Sequence, residues 1–217
     1  PAAQPREFSP DNTYWVTGGL GGLGLAAARW LAENGARHIL LTGRRGLPER
    51  SAWAGLPAGS LLALQAAAIK EIETAFGAKI ETAAVDVGDI TAVREVFQSF
   101  GNQRPPIKGI LHCAAALSNR SIDALTGADL RDMFWPKVLG AWNLVQMSRG
   151  QALDFLVLFS STTAIWGSSQ LGHYAAANTF MDALAHSAAS RGQPVTSVNW
   201  GTWEVMRAAS ASEQERT

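Results

Sequence analysis

Residues 16–24, Val-Thr-Gly-Gly-Leu-Gly-Gly-Leu-Gly, place five glycines where a short apolar run meets a helical pattern. Glycine permits a tight turn, close approach of the backbone to an anion and close packing of a helix on a strand. The N–H groups at the start of such a helix attract phosphate. The segment therefore predicts a strand, a phosphate-binding turn and a helix, and the alternative is a glycine-rich turn without a ligand. The candidate contacts are Thr17, Gly18, Gly19, Leu20, Gly21, Gly22, Leu23 and Gly24.

Apolar runs alternate with helical patterns along the rest of the chain. Near-continuous apolar strands joined by helices are typical of a parallel sheet that is covered on both faces. With the glycine-rich first turn, the pattern predicts an α/β fold, a doubly wound parallel sheet of the Rossmann type. The predicted strands lie near 13–17, 38–42, 80–85, 107–112, 154–160 and 195–200, and the predicted helices are 23–34, 61–76, 91–100, 129–147 and 173–190.

Composition narrows the classes of partner. Eighteen basic residues balance eighteen acidic ones, so we expect no nucleic acid and no anionic membrane as partner. No stretch is apolar for long enough to span a bilayer, and the first residues do not resemble a secretion signal, so we expect a cytoplasmic protein. The single cysteine, Cys113, is predicted to be a small apolar filler, and no metal site is predicted.

The end of the second predicted strand bears on the choice of a dinucleotide. Sites for NAD commonly carry a carboxylate there, whereas sites for NADP need a cation for the 2′-phosphate. Here Arg44 and Arg45 follow Gly43 and no carboxylate is present, which favours NADPH. The alternative is that both arginines are solvated loop charges. Asp86, followed by Val87, is placed to accept a hydrogen bond from an adenine amino group, or else to cap the next helix.

Seven ordered motifs resemble the short-chain dehydrogenase/reductase superfamily and, within it, the ketoreductase domains of modular polyketide synthases. The resemblance covers the chain from Thr13 to about Trp203. It implies hydride transfer from NADPH to a β-ketoacyl chain on the phosphopantetheine of an acyl carrier protein. It also adds Ala114 and Ala115 to the cofactor contacts. The motifs are residues 17–24, 42–46, 112–115, 137–140, 159–161, 174–178 and 198–201.

Ketone reduction requires a proton donor to the nascent alkoxide and hydrogen bonds to the carbonyl oxygen. Tyr174 is the candidate acid, and Lys137 can supply the cation that eases loss of a phenolic proton. Asn178, one helical turn after Tyr174, can help hold Lys137 or a bridging water. Ser161 is the candidate second donor, and the spacing in the family favours it over Ser160. Taken singly, each residue also has a structural alternative. The alternatives are a half-buried aromatic for Tyr174 and a solvated helix charge for Lys137. For Ser161 the alternative is a strand-end cap, and for Asn178 it is a polar group on a helix surface.

Most free-standing members of the superfamily carry lysine at the position of Asn178 and asparagine at the position of Lys137. The synthase-embedded domains carry the exchanged pair, as this chain does. The exchange therefore favours a synthase domain over a free-standing reductase of small ketones. A non-catalytic structural or cofactor-sensing domain of a megasynthase remains the alternative function.

The resemblance also bears on stereochemistry. Ketoreductases of the B-type carry Leu-Asp-Asp after the fourth strand, where this chain has Leu117-Ser118-Asn119. Those of the A-type carry tryptophan eight residues before the tyrosine, and Trp166 occupies that position. The resemblance implies an A-type enzyme with an L-hydroxy product, unless Trp166 merely packs a loop. Met206 is expected to begin a mobile lid over the substrate.

The predicted organisation is a linker over 1–12, an NADPH-binding catalytic ketoreductase domain over 13–207, and a polar tail or start of a lid over 208–217. A complete domain of this family has another helix and a final strand, so we expect the sheet to lack its last strand in this chain. A non-catalytic ketoreductase half and a C-terminal completing segment are the expected structural partners.

Overall fold

The computed structural model describes residues 7–116 and 118–203. Six parallel strands form one sheet in the order β3-β2-β1-β4-β5-β6, and the predicted doubly wound α/β fold is confirmed. The strand order reverses between β1 and β4, which is where such sheets bind ligands, outside their carboxyl edge. The strands are β1 (Thr13–Thr17), β2 (His38–Gly43), β3 (Lys79–Ala84), β4 (Ile107–His112), β5 (Phe155–Ser161) and β6 (Val195–Trp200).

Helices connect the strands and cover both faces of the sheet. Short 3₁₀ segments lie at Arg50–Gly55 and Ile122–Ala124, and a π-helical turn lies at Trp135–Leu139. The α-helices are α1 (Gly22–Glu33), α2 (Leu61–Phe76), α3 (Ile90–Ser99), α4 (Gly127–Phe134), α5 (Gly140–Met147), α6 (Thr163–Trp166) and α7 (Gly172–Ala189).

The helix predicted over 129–147 is interrupted by the π-helical turn. Pro136, the second residue of that turn, has no backbone N–H and its ring clashes with the preceding turn of an α-helix. The continuous helix was therefore a wrong expectation, because one proline widens the helix for a single turn. Elsewhere the boundaries lie within one or two residues of those predicted.

The alternation of side chains along each strand divides the core into two layers. On β1, Tyr14 and Val16 pack with α1 and α2, whereas Trp15 packs with α3, α5 and α7. All three side chains are buried. Burying a large apolar side chain contributes about 1.5–3 kcal/mol, so both layers stabilise the strand that leads into the glycine turn.

Contacts with the domain begin before Thr13. The ring of Phe8 lies 5.0 Å from the rings of Tyr14 and Trp30, and the Phe8 N–H donates to the carbonyl of Asn34. Residues 7–12 of the predicted linker thus extend the layer formed by α1 and β1. Within the described residues, no helix combines the length and the apolar character needed to cross a membrane.

Candidate active site

The glycine turn between β1 and α1 is packed so closely that a side chain would not fit at Gly18 or at Gly24. Gly18 has φ +67°, and a Cβ there would lie 2.7 Å from the backbone N of Ala114. A Cβ on Gly24 would lie 2.7 Å from the carbonyl carbon of Gly19. These contacts bring the start of α1 against β1 and against the segment after β4. The turn therefore lies where the strand order reverses.

The first turn of α1 is open to an anion. Its N-cap, Gly21, has extended backbone and, being glycine, has no side chain that could cap the helix amides. Gly21 and Gly22 are both exposed. Uncapped amides and the helix dipole together favour a phosphate at this position, so the turn fits the pyrophosphate of a dinucleotide.

Two residues of the glycine motif direct their side chains away from this opening. Thr17 is buried, and its Oγ1 lies 2.7 Å from Nδ1 of His112. Leu20 packs in the core layer of α1 and α2. Any contact of these two residues with a ligand would therefore use their backbone atoms.

The loop after β2 carries exposed positive charge. Arg44 and Arg45 are both exposed, and neither takes part in the ion pairs formed among the described residues. The Gly43 carbonyl just before them accepts a hydrogen bond from Val85 N–H at 2.8 Å, which ties the loop to the end of β3. The geometry leaves both guanidinium groups available to an anion beside the glycine turn.

Asp86 lies just beyond the end of β3 and does not cap α3. The cap of α3 is Asp89, whose Oδ1 accepts from Thr91 N–H at 2.8 Å, so the alternative of Asp86 as the helix cap is wrong. Oδ1 of Asp86 instead accepts from Gly88 N–H and from the Trp135 indole N–H, each at 3.0 Å.

Val87, which follows Asp86, faces the interior. Its side chain is buried, and a Cβ on Gly140 would lie 2.7 Å from Val87 Cγ1. Across the sheet, Ala114 is half-buried and Ala115 is exposed after β4. Ala114 also contacts the glycine turn through Gly18, so the segments after β1, β3 and β4 converge at the carboxyl edge.

Four of the predicted side chains come from β5, α7 and the π-helical turn. Lys137 is buried, and its Nζ donates to Asn178 Oδ1 at 2.9 Å and to the Phe159 carbonyl at 3.0 Å. The same ammonium lies 5.1 Å from the centre of the Tyr174 ring. Asn178 Nδ2 donates to the Tyr174 carbonyl at 2.8 Å. Asn178 therefore holds the ammonium beside the tyrosine from one helical turn away.

Burial changes the acid–base properties of this cluster. Desolvation lowers the pKa of Lys137 to about 8, against smaller opposing effects of Cys113 and Asp182. Desolvation and the nearby Lys137 charge lower the pKa of His112 to about 3, so its imidazole is neutral. Burial raises the pKa of the Cys113 thiol to about 12. Lys137 is therefore charged at neutral pH but loses its proton in the mildly alkaline range.

The two serines at the end of β5 differ in their surroundings. Ser160 is buried, and its hydroxyl donates to the Asn178 carbonyl at 3.4 Å and accepts from Asn199 Nδ2 at 3.1 Å. Ser161 is half-buried, and its Oγ accepts from Thr163 N–H at 3.2 Å. None of the described residues accepts the Ser161 hydroxyl proton, which leaves it for an external acceptor, whereas Ser160 is part of the interior.

Sequence reasoning assigned no role to Asn199, although it lies in one of the motifs. Its Nδ2 donates to Asp182 Oδ2 at 2.8 Å as well as to Ser160 Oγ and to the Ser161 carbonyl. Asp182 also accepts from Ser197 Oγ at 2.5 Å. This network joins the ends of β5 and β6 to α7, two turns below Tyr174.

The residues associated with stereochemistry lie around the loop before α7. Trp166 ends α6 with 81% of its surface exposed, so it packs little against the described residues. Asn119 is exposed, and Ser118 Oγ lies 3.0 Å from His173 Nε2. Leu117 and Met206 lie outside the described residues.

Comparisons with known proteins find similar sequences over nearly the whole chain. The family described as KR domain matches residues 12–205. A 5-methyl-1-naphthoate synthase of Streptomyces sahachiroi is 39% identical over 201 residues, which are 92% of this chain and 11% of the relative. The pikromycin polyketide synthase component PikAIII of Streptomyces venezuelae is 37% identical over 198 residues, 91% of this chain and 12% of that protein.

Solved structures show the same likeness. The structure described as A-type ketoreductases from a modular polyketide synthase superimposes with a TM-score of 0.77 at 32% identity, over 94% of this chain and 40% of that one. The chain thus spans about a tenth of the length of the curated relatives and less than half of the structural one.

Proposed function

The chain belongs to the KR domain family, and on that premise we propose that it reduces the β-keto group of an acyl thioester with NADPH inside a polyketide synthase. The observation that carries the proposal is the buried Lys137 ammonium, held between Asn178 Oδ1 and the Phe159 carbonyl and 5.1 Å from the Tyr174 ring. A buried cation beside a phenol at the carboxyl edge of the sheet is suited to proton donation.

The residues at the carboxyl edge fit a dinucleotide. The uncapped start of α1 would hold the pyrophosphate, and Gly18 and Gly24 allow the close approach of the backbone. Arg44 would bind the 2′-phosphate and Arg45 would add to the positive charge, which supports NADPH over NADH. When bound, the reduced nicotinamide supplies the hydride that adds to the ketone carbon.

Side chains of this domain protonate the oxygen of the ketone and hydrogen-bond to it. Tyr174 donates its phenolic proton to that oxygen as negative charge develops on it, so the C=O π bond becomes a C–H and an O–H bond. Lys137 stabilises the phenolate that remains, and Asn178 keeps the ammonium in position. Ser161 donates a second hydrogen bond to the same oxygen.

We assign the domain to the A-type with an L-hydroxy product. The support is Trp166, which is exposed at the entrance to α7, the absence of acidic residues at Ser118 and Asn119, and the likeness to A-type ketoreductase structures. Leu117 and Met206 would complete the substrate side of the site.

The proposed substrate is carried by an acyl carrier protein through its phosphopantetheine arm. The curated relatives named as polyketide synthases are several times longer than this chain, which supports a role as one domain among others. The proposed organisation keeps a linker over 1–12, the catalytic domain over 13–207 and a tail over 208–217. The partners inside the synthase would be a non-catalytic ketoreductase half and a C-terminal segment that completes the sheet, and the location would be the cytoplasm.

The experiment uses the intact protein with NADPH and a β-ketoacyl thioester of a short pantetheine analogue. We expect oxidation of NADPH and an L-hydroxy product, and we expect Tyr174→Phe to lower kcat by at least about 100-fold while leaving the Kd for NADPH unchanged. Arg44→Ala should raise the Kd for NADPH about tenfold but not that for NADH. Binding of NADPH without turnover by the native protein would instead support the non-catalytic, cofactor-sensing alternative.

A further inference from the structure

The Trp135 indole lies beside Asp86, next to the proposed cofactor site. Resting on the proposed NADPH site, we propose that Trp135 is a positioning residue that orients the Asp86 carboxylate and thereby makes the site select a 6-aminopurine over a 6-oxopurine. The proposal goes beyond the contact of Asp86 with adenine, because it assigns the orientation of that carboxylate to a tryptophan on another element.

The Trp135 indole contacts the segment after β3 in two ways. Its N–H donates to Asp86 Oδ1 at 3.0 Å, and the ring lies so close to Gly88 that a Cβ there would be 2.7 Å from Trp135 Cε2. Only glycine at position 88 therefore leaves room for the indole. Trp135 is 41% exposed, so the ring also forms part of the surface beside the carboxylate.

The two carboxylate oxygens of Asp86 are not equivalent. Oδ1 accepts from both Gly88 N–H and the Trp135 indole, whereas no hydrogen bond among residues 7–116 and 118–203 uses Oδ2. Because two donors hold Oδ1, the rotation of the carboxylate is restricted and Oδ2 is left to accept from a ligand. A 6-amino group donates to that oxygen, while a 6-oxo group would oppose it with another acceptor.

Trp135, which holds this carboxylate, is the first residue of the π-helical turn. Pro136 interrupts the α-helix directly after it, and Lys137 of the same turn points to Asn178. From the following helix, Asn143 Nδ2 donates to the carbonyls of Val87 and Gly88 at 3.1 and 2.9 Å. The backbone after Asp86 is thus held by Asn143 while its side chain is held by Trp135.

The test compares direct binding of NADPH and of its reduced hypoxanthine analogue to the intact protein, by the fluorescence of the dihydronicotinamide. We expect the native protein to prefer NADPH by at least about tenfold, the effect of one hydrogen bond to a charged group. Trp135→Phe keeps an aromatic ring but removes the indole donor, so we expect the preference to fall below about threefold. Trp142→Phe, which changes another exposed tryptophan beyond the π-helical turn, should keep the native preference.

A second variant separates orientation from stability. In Asp86→Asn, Trp135 and Gly88 should still hold Oδ1, so Nδ2 faces the base as a donor and the preference should reverse toward the hypoxanthine analogue. Adding Trp135→Phe should abolish that reversal, because the amide is then free to rotate. Loss of a packing contact alone would weaken both ligands equally and leave their ratio unchanged.

The outcomes distinguish the two proposals. If the native protein binds neither ligand, both the NADPH site and the role of Trp135 are wrong. If it binds NADPH but does not discriminate against the analogue, or if Trp135→Phe keeps the native ratio, the NADPH site stands and the role of Trp135 is refuted.

Discussion

Removal of the Lys137 ammonium tests the electrostatic basis of the proposed site. The charge lies 5.1 Å from the centre of the Tyr174 ring. With the phenolate charge taken at the ring centre, unit charges about 5 Å apart interact by about 3 kcal/mol at an effective dielectric constant of about 20. If this interaction is made with the phenolate and not with the neutral phenol, Lys137→Met should lower kcat about 100-fold.

The pH dependence gives the same test without a mutation. Because burial lowers the Lys137 pKa to about 8, the charged form dominates below that pH and declines about tenfold for each further unit above it. We therefore expect kcat/KM to be level up to about pH 8 and to fall above it. The fall near pH 8 should be absent in Lys137→Met, whose activity is low throughout.

The assay is NADPH oxidation with a β-ketoacyl thioester between pH 6 and 10, and the control is Lys79→Met. The Lys79 side chain is 67% exposed and begins β3 at the opposite edge of the sheet, so this variant should keep the native profile. A Lys137→Met enzyme that retains the fall near pH 8 would show that another group titrates. Native-like activity of that variant would refute the electrostatic argument.

The remaining predictions concern the glycine turn and the two serines. Gly24→Ala should raise the Kd for NADPH and lower the free energy of unfolding by about 1–3 kcal/mol, because the added Cβ meets the backbone of Gly19. Fluorescence titration measures the Kd and thermal unfolding measures the stability. The control Gly55→Ala should change neither quantity, because a Cβ at Gly55 points into open space. Ser161→Ala should lower kcat at least about tenfold with little change in stability. Ser160→Ala should lower the free energy of unfolding by about 1–3 kcal/mol through its lost buried hydrogen bonds, and an equal effect of the two serines on kcat would contradict their separation.

Much of the fold was predictable because it depends on local patterns. Period and composition identified all six strands, and Gly77, at the end of α2, takes the left-handed φ of +67° expected of a helix-ending glycine. The π-helical turn was missed, since the effect of Pro136 on a helix depends on whether the surrounding packing tolerates a wider turn.

The candidate site was also predictable from the sequence only in part. Motif order and spacing pointed to Tyr174, Lys137 and Asn178. In the structure the Lys137 ammonium donates to the Asn178 amide oxygen and lies 5.1 Å from the centre of the Tyr174 ring. Nothing in the sequence indicated that Asn199 would join Ser160 to Asp182, because that network links β5, β6 and α7 across separations that no local pattern encodes.

The sequence alone therefore determined the order of elements, the glycine turn and the kinds of side chain available for chemistry, because each follows from residue type and short-range spacing. Only the tertiary structure decided which groups are buried and what they contact. Burial lowers the pKa of Lys137, and the contact with Trp135 leaves one oxygen of Asp86 for a ligand. Both effects arise from residues far apart in the chain, whose distances are set by the packing of helices against the sheet.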